Sequence, residues 1–352
     1  MSVKMVNDRK RLFSIDVLRV ISSFLVIVQH SISSEWTRLG AELPASAEWR
    51  IMNFVFMIAR MSVPVFFMAS GAVMLCREQK IKRIWTHNIA GITVTYIAWM
   101  LIYGIREAAV IIANGNATPR VICNAFIKQI LFGSYHTWFL MALLGLYTLT
   151  PLLSVVVSND GHLAYFCLIS FTATCIFPLI IKIDTSHRIA DTINDLSPGY
   201  VSGYVLYYIL GYFLIKKAMD GRHRFSAMIV ALLSIIMAYH LSNYLSVRDI
   251  RAVQEPYTDL SFLGVLIAGS LFYLSIGISE PGKETLRYRC VRHLSNMGLG
   301  VYLLHPLYLH AITRWFSGWK TLIAACIVWG LSVMICSVLY FNKTIRRIFL
   351  RI

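Results

Sequence analysis

The sequence is poor in charged residues. Asp, Glu, Lys and Arg make up 14% of its 352 residues, whereas about 25% is usual in a soluble domain. Hydrophobic residues reach 57%, and the mean hydropathy is +0.65. No stretch is polar enough to form an appended soluble domain. These properties exclude an ordinary soluble protein and predict a single polytopic membrane domain over residues 1–352, with spans between about 13 and 341.

Cysteine motifs and processing signals are missing as well. The seven cysteines are scattered, without a CxxC pair or metal-ligand spacing, so we expect no bound metal. The basic N-terminus leads into an apolar stretch with no small-residue cleavage site, which predicts a retained first span rather than a signal peptide. There is also no internal repeat and no pair of broken helices. The lack of these features argues against an inverted-repeat transporter.

Apolar runs long enough to cross a bilayer recur along the whole chain. They predict an all-α integral membrane protein with about ten transmembrane helices. The predicted spans are residues 13–33, 51–75, 85–112, 136–157, 163–182, 200–218, 225–246, 260–279, 294–313 and 320–341. The segment 115–135, before the fourth span, is predicted to be amphipathic or re-entrant.

The basic residues indicate how these spans are oriented. Lys and Arg number 33 against 17 Asp and Glu. In a membrane protein such an excess follows from topology, because basic residues accumulate on cytoplasmic loops, and no nucleic-acid partner is expected. Ten spans place both termini on one face, and 20 of the 33 basic residues fall on that face against 11 on the other. We therefore predict a multi-pass protein with both termini in the cytoplasm.

The first span carries three ionisable residues on one side of a helix. At about 100° per residue, Arg19 and His30 are only about 20° apart, and Asp16 lies about 40° to the other side of His30. At about 1.5 Å per residue, His30 lies roughly 16 Å along the axis from Arg19. Ionisable groups are costly to bury in a span, so this face is a candidate functional site.

This arrangement suits chemistry that begins at the cytoplasmic end of the span. A guanidinium such as that of Arg19 binds the phosphates of an anionic donor. The neutral imidazole of His30 acts near pH 7 as a base or accepts an acyl group. The alternative interpretation is structural: Asp16 pairs with Arg19 near the interface, and a neighbouring helix satisfies His30. The spacing of these residues leaves both open.

Three further segments place polar groups beside apolar ones. Arg60 lies well inside span two and requires a partner or a wet cavity. After Ser70 comes a basic loop, which either receives a nucleotide phosphate or is an ordinary positive-inside loop. Its cations are Arg77, Lys80, Lys82 and Arg83. In span nine His305 stands beside Pro306, a pattern typical of either a kink with a structural histidine or a catalytic site.

Together these motifs resemble those of a known family. Their order along the chain is a basic residue at Arg9 or Arg11, Asp16-x-x-Arg19, His30, Arg60-x-x-x-Pro64, Phe66-Phe67-x-x-Ser70-Gly71, Trp138-Phe139, Tyr147, Pro151 and Gly300-x-Tyr302-x-x-His305-Pro306. The series resembles that of the acyltransferase-3 family of membrane acyltransferases, and the ten-span count is also similar.

The resemblance implies an enzyme of the bacterial inner membrane. Such an enzyme moves an acyl group, usually acetyl, from cytoplasmic acetyl-CoA to a hydroxyl of a cell-surface glycan or lipid-linked sugar. The chain ends eleven residues beyond its last predicted span. It therefore resembles the short stand-alone branch of polysaccharide O-acetyltransferases, without the soluble esterase-like domain that larger members append.

The resemblance also implies roles for individual residues. A catalytic role is implied for His30, and we hypothesise that Asp16, Arg60, Tyr302 and His305 also belong to the catalytic site, with His305 as a second polar residue of the channel. Donor binding is implied for Arg19, Ser70, Arg77, Lys80, Lys82 and Arg83. His30, oriented by Asp16 or by a neighbouring helix, would act as base or carry the acyl group, while Arg60 and Tyr302 would stabilise the oxyanion. The family has an Arg-x-x-Arg pair, which corresponds in this sequence to Arg77-x-x-Lys80 or Lys80-x-x-Arg83. Lys binds a phosphate as a point charge, whereas Arg offers two parallel hydrogen bonds.

Two other functions also fit buried charges of this kind. One is a transporter or exporter of an acylated glycan or an anionic metabolite. The other is a non-catalytic partner of a polysaccharide synthase. The partners expected for the enzyme are acyl-CoA, a glycan or lipid-linked saccharide and membrane lipid, and a homo-oligomer stays open. Acetyl and succinyl donors are both compatible with these residues.

Overall fold

The chain folds as a bundle of helices. The computed structural model describes residues 12–76, 80–115, 118–184, 188–218 and 223–351, and over these ranges every regular element is helical. The α-helices are α1 (Phe13–Glu42), α2 (Ala47–Arg60), α3 (Ser62–Met74), α4 (Ile81–Arg83), α5 (Ala90–Ala113), α6 (Pro119–Phe132), α7 (Trp138–Val157), α8 (Asp160–Phe171), α9 (Phe177–Ile183), α10 (Arg188–Asp195), α11 (Tyr204–Ala218), α12 (Arg224–Asp249), α13 (Phe262–Ser275), α14 (Leu286–Leu304), α15 (Leu309–Thr313), α16 (Thr321–Tyr340) and α17 (Lys343–Ile345). π-Helical turns join α4 to α5, join α8 to α9, and follow α17.

Each of the ten predicted spans falls on a helix or on helices joined end to end. Within the described ranges, seven segments are long and apolar enough to cross a membrane, which makes the protein a multi-pass membrane protein. They are Phe13–Glu42, Ala47–Met74, Ile81–Ala113, Trp138–Val157, Asp160–Ile183, Arg224–Asp249 and Gly318–Tyr340. The other three predicted spans correspond to α11 and α13, which are shorter, and to α14, which starts with several arginines. The count of ten and the side of the termini stay predictions.

Span nine differs most from its prediction. Residues 294–313 were expected to form one helix, but α14 begins at Leu286 and ends at Leu304. A 3-10 turn over His305–Leu307 and the short α15 follow. Pro306 explains the break, because it has no N–H for an α-helical hydrogen bond and its ring clashes with the preceding turn. The break leaves His305 fully buried at the end of a helix.

α1 and the α2–α3 pair form the centre of the bundle. α1 packs against α2, α3, α14 and α16, and α3 packs along α11. In an apolar 18-residue stretch of each segment, 56% of α1 and 67% of Ala47–Met74 is buried inside the protein. The corresponding share for α12 is 22%. Outer helices such as α12 therefore present apolar side chains to lipid, whereas α1 buries polar residues such as Asp16 and Ser31 inside the bundle.

The crossing of α3 and α11 depends on two glycines. A Cβ built at Gly71 would overlap the carbonyl oxygen of Tyr208, and one built at Gly211 would overlap that of Met68. The two backbones are therefore in direct contact, as small residues allow at helix interfaces in membranes. The Ser-Gly pair that ends span two thus has a packing role that its sequence pattern did not predict.

Replacing Gly71 or Gly211 with alanine is expected to lower the free energy of unfolding by about 1–3 kcal/mol, the usual cost of overpacking a core contact. Thermal unfolding of the purified protein in detergent measures the loss. Matched controls are Gly145→Ala and Gly330→Ala, since an added Cβ meets nothing within 4 Å at either position. There alanine should be neutral or should stabilise its helix. Equal losses at all four positions would contradict the close crossing.

Candidate active site

Two imidazoles meet inside the bundle. His30 lies on α1, and His305 lies where α14 ends before Pro306. Nδ1 of His30 is 2.9 Å from Nε2 of His305, and the rings are stacked with their centroids 5.2 Å apart. At this distance one nitrogen donates its N–H and the other accepts. The two rings therefore share one proton at the contact.

The two histidines differ in accessibility. His305 is fully buried, and in the part of the chain that the structure describes its Nδ1 has no hydrogen-bond partner. His30 is partly exposed. When His30 donates from Nδ1, its Nε2 carries a lone pair that can accept a proton. The pair thus combines a partly exposed imidazole with a fully buried one in contact with it.

Asp16 lies at the other end of α1. Its carboxylate is buried and accepts a hydrogen bond of 2.7 Å from Oγ of Ser295 on α14. At 1.5 Å per residue it is about 21 Å along the helix axis from His30, which is too far for it to orient the imidazole. Of the two groups expected to orient His30, the neighbouring helix contacts it through His305, whereas Asp16 is too far away for a direct contact.

A third imidazole, which no sequence pattern singled out, lies beside the pair. His136 precedes α7, is 1% exposed, and its ring centroid is 6.0 Å from that of His305. Among the described residues neither of its ring nitrogens has a hydrogen-bond partner. Although three histidines meet here, the described ranges contain no group of three or more His, Cys, Asp or Glu placed to hold a metal ion.

Tyr302 holds the turn that carries His136. Its hydroxyl donates a hydrogen bond to the carbonyl oxygen of His136. At the next residue of α14, the carbonyl oxygen of Leu303 accepts a hydrogen bond of 2.8 Å from the hydroxyl of Tyr103 on α5. Oxyanion stabilisation requires a donor directed at the substrate. In this structure the Tyr302 proton is directed at the backbone instead, so the geometry assigns Tyr302 a positioning role.

Arg60, the half-buried cation at the end of α2, is paired with a carboxylate. Its Nη2 is 2.7 Å from Oδ1 of Asp259, which precedes α13 and is 8% exposed. The other carboxylate oxygen accepts 3.2 Å from the hydroxyl of Tyr204. Burial raises the pKa of the Asp259 carboxyl, and the charge of Arg60 opposes that rise. The guanidinium of Arg60 also lies within electrostatic range of His30, which connects the ion pair to the imidazoles.

Aromatic rings surround this ion pair. Tyr204 stacks on Phe67 at a centroid distance of 4.5 Å, and the indole of Trp138 lies 5.1 Å from Tyr204. Trp138 is 39% exposed. Aromatic rings with a few placed polar groups are the usual lining of a ligand site. We call Trp138, Tyr204, Asp259 and Arg60 the aromatic–acidic face.

The residues expected to bind the donor lie towards the other end of α1. Arg77 falls outside the described residues. Lys80, Lys82 and Arg83 are exposed, whereas Ser70 is half-buried on α3. Arg19 is half-buried and lies within electrostatic range of Tyr147 on α7. The structure therefore separates a basic end near Arg19 from the imidazoles near His30.

Comparison with known proteins identifies a family and several relatives. The family described as an acyltransferase domain, acyltransferase-3, matches residues 12–341. The "Probable poly-beta-1,6-N-acetyl-D-glucosamine export protein" of Staphylococcus aureus strain MSSA476 and that of strain MRSA252 are each 20% identical to the chain over 307 residues. The match covers 84% of this chain and 81% of each relative. No solved structure matches the chain.

Proposed function

Because the chain belongs to the acyltransferase-3 family of membrane acyltransferases, we propose that it moves an acetyl group from acetyl-CoA to a hydroxyl of a cell-surface glycan or lipid-linked sugar. The observation that carries the proposal is the 2.9 Å contact between His30 and His305, which leaves a nitrogen of a partly exposed imidazole ready to accept a proton. We assign the protein to the bacterial inner membrane, with its donor on the cytoplasmic side. The excess of Lys and Arg on the loops of that side supports this orientation.

His30 acts as the general base of the transfer. Its Nδ1–H donates to Nε2 of His305, and its own Nε2 takes the proton of the acceptor hydroxyl as that oxygen attacks the thioester carbonyl. The new C–O bond forms, the C–S bond breaks, and the proton passes from His30 to the leaving thiolate. His305 accepts from the imidazolium and stabilises it, as a carboxylate does in a Ser-His-Asp triad. Arg60 stabilises the negative charge on the carbonyl oxygen.

The same contact serves a covalent route. There Nε2 of His30 attacks the thioester carbonyl itself, and the acetyl group resides on the imidazole until the acceptor hydroxyl takes it. Both routes need an accessible Nε2 on a ring held at Nδ1, which is what His305 provides.

The spacing along α1 supports a coenzyme A thioester as donor. About thirteen bonds separate the sulfur of coenzyme A from its first phosphorus. At roughly 1.1–1.2 Å of advance per bond, as in an extended peptide chain, this arm spans about 15 Å. Arg19 and His30 are about 16 Å apart along the helix. A donor whose phosphates contact Arg19 therefore presents its thioester carbonyl close to His30.

We assign the acceptor sugar to the aromatic–acidic face. The faces of a sugar ring are apolar enough to stack on Trp138 and Tyr204, and its hydroxyls suit the carboxylate of Asp259 as hydrogen-bond donors. Arg60 lies within electrostatic range of His30, so a sugar bound beside the ion pair is on the side of the bundle that holds the base.

Export is the second candidate function. The Staphylococcus aureus relatives favour it, because they are named as export proteins of poly-beta-1,6-N-acetyl-D-glucosamine. An exporter would use the buried charges to pass a glycan across the membrane. Export and acetyl transfer differ in their products, since only transfer releases coenzyme A.

The test supplies the purified protein in lipid nanodiscs with carbonyl-labelled acetyl-CoA and an extract of lipid-linked glycans. We expect base-labile label in the glycan and an equal amount of free coenzyme A thiol, and neither product when the glycan is omitted. A folded protein that releases no thiol from acetyl-CoA or succinyl-CoA would contradict the transfer. Glycan counterflow in vesicles without thiol release would then favour export.

A further inference from the structure

The C-terminal residues turn back into the bundle. After α16 a short helical segment, Lys343–Leu350, lies against α5 and α14, and its last residue is 1% exposed. Oγ1 of Thr95 donates 2.7 Å to the carbonyl oxygen of Ile348, and Nε1 of Trp99 donates 3.2 Å to that of Phe349. Two side chains of α5 thus hold the backbone of this segment in a defined place.

This position brings arginines from distant parts of the chain to one end of the bundle. Arg351 donates a hydrogen bond to the carbonyl oxygen of His87, and the charges of Arg83, Arg347 and Arg351 all lie within electrostatic range of that histidine. Tyr147 lies within electrostatic range of both Arg19 and Arg351. We call these four residues the arginine cluster: Arg19 on α1, Arg83 on α4, and Arg347 and Arg351 at the C-terminus.

Three members of the cluster, Arg83, Arg347 and Arg351, form no ion pair in the ranges that the structure describes. Like charges held together repel one another, and a bound anion relieves that repulsion. The backbone also makes room for the cluster, because a Cβ built at Gly91 would overlap the guanidinium of Arg351.

We propose that the arginine cluster binds the phosphate groups of the acyl donor, so that the C-terminal segment is part of the donor site. This inference rests on the proposed function, in which the donor is a coenzyme A thioester. Guanidinium groups bind phosphate oxygens with two hydrogen bonds each, and several of them together suit a ligand that carries several phosphates. The cluster is also at the Arg19 end of α1, at the distance that the donor's arm requires. A phospholipid headgroup offers the same phosphate chemistry, and the experiment separates the two sources.

The experiment measures the binding of coenzyme A to the full chain in phosphatidylcholine nanodiscs, with pantetheine, which has the same arm without phosphates, as the second ligand. Arg347→Gln and Arg351→Gln are each expected to weaken coenzyme A binding by about ten- to a hundredfold, the equivalent of a lost charge-assisted hydrogen bond. Pantetheine binding should stay within about twofold. Gly91→Ala should reproduce the effect by displacing Arg351. Arg289→Gln removes the same charge from an exposed arginine that is paired with Glu284, and it should change neither ligand.

Three outcomes would overturn the inference. The first is a parallel loss of coenzyme A and pantetheine binding, which would assign the segment a structural role. The second is wild-type affinity for coenzyme A in both Arg347→Gln, whose side chain is exposed, and Arg351→Gln. The third is an effect that appears only when the nanodiscs contain phosphatidylglycerol, which would identify a lipid headgroup as the ligand. Because binding is measured without turnover, phosphate-dependent binding combined with no acetyl transfer would support this inference and refute the proposed function.

Discussion

His30→Ala is expected to lower the kcat of acetyl transfer by about 10²–10⁴, the range that a positioned general base contributes. The KM for acetyl-CoA should change little, because the proposed phosphate site at Arg19 is about 16 Å along the helix from this residue. Release of coenzyme A thiol and label in the glycan measure the effect. The matched control is His310→Ala, which removes an exposed histidine of α15 and should leave kcat unchanged.

Two substitutions of His305 test whether it orients the base His30. His305→Asn keeps an oxygen that accepts the Nδ1–H of His30, whereas His305→Ala removes the acceptor. We therefore expect the asparagine variant to retain more activity than the alanine variant. Wild-type turnover in a folded His30→Ala protein would show that His30 is not the base. Equal activity of the two His305 variants would show that the contact with His305 does not orient His30.

Asp259→Asn is expected to lower the free energy of unfolding by about 3 kcal/mol, because it leaves the half-buried charge of Arg60 without a partner. Arg60→Gln should cost a similar amount by leaving the carboxylate unpaired. The double variant should recover most of the loss, since both charges are then gone. Unfolding of the four proteins in detergent gives the coupling energy as a double-mutant cycle.

The exposed pair Arg289–Glu284 is the control for this cycle. Its side chains are 65% and 91% exposed, so Glu284→Gln should cost less than about 1 kcal/mol. Acetyl transfer supplies a second measurement. If Arg60 stabilises the oxyanion, the double variant should regain stability and still lose about 10²–10³ in kcat. Equal costs for Asp259→Asn and Glu284→Gln would contradict the buried pair.

Within a single helix the sequence predicted the arrangement well. The common face of Arg19 and His30 follows from the helical period alone, and α1 runs through both residues without interruption. The helices themselves coincide with apolar runs, because a run of about twenty apolar residues has few other stable conformations in a bilayer. The order of the motifs was sufficient to predict the family, which the match over residues 12–341 confirms.

Contacts between helices were less predictable. His305 is 275 residues from His30 in the chain, and their contact depends on where Pro306 ends α14 and on how α14 is rotated against α1. The need of Arg60 for a partner or a wet cavity was recognised from its place inside an apolar run. Several acidic loop residues could meet it, however, and periodicity does not rank them, so Asp259 was not singled out.

The C-terminal arginines were missed for a different reason. In the sequence they look like ordinary positive-inside charges after the last span. Their place in the bundle depends on two side chains, Thr95 and Trp99, that donate to backbone carbonyls of the returning segment. Any residue can supply a backbone carbonyl that accepts a hydrogen bond. Such contacts therefore produce no recognisable sequence motif in the C-terminal segment.

The continuity of α1 has a consequence for the choice of acyl group. One unbroken helix carries both Arg19 and His30, so their separation is fixed by the helical rise and not by a hinge. A donor held by its phosphates then presents its carbonyl at one depth in the membrane, whatever the length of its acyl chain. Additional methylene groups extend past His30, away from the donor site. If the proposed function holds, we therefore expect selection among short and long acyl groups on the far side of His30, independently of the affinity for coenzyme A.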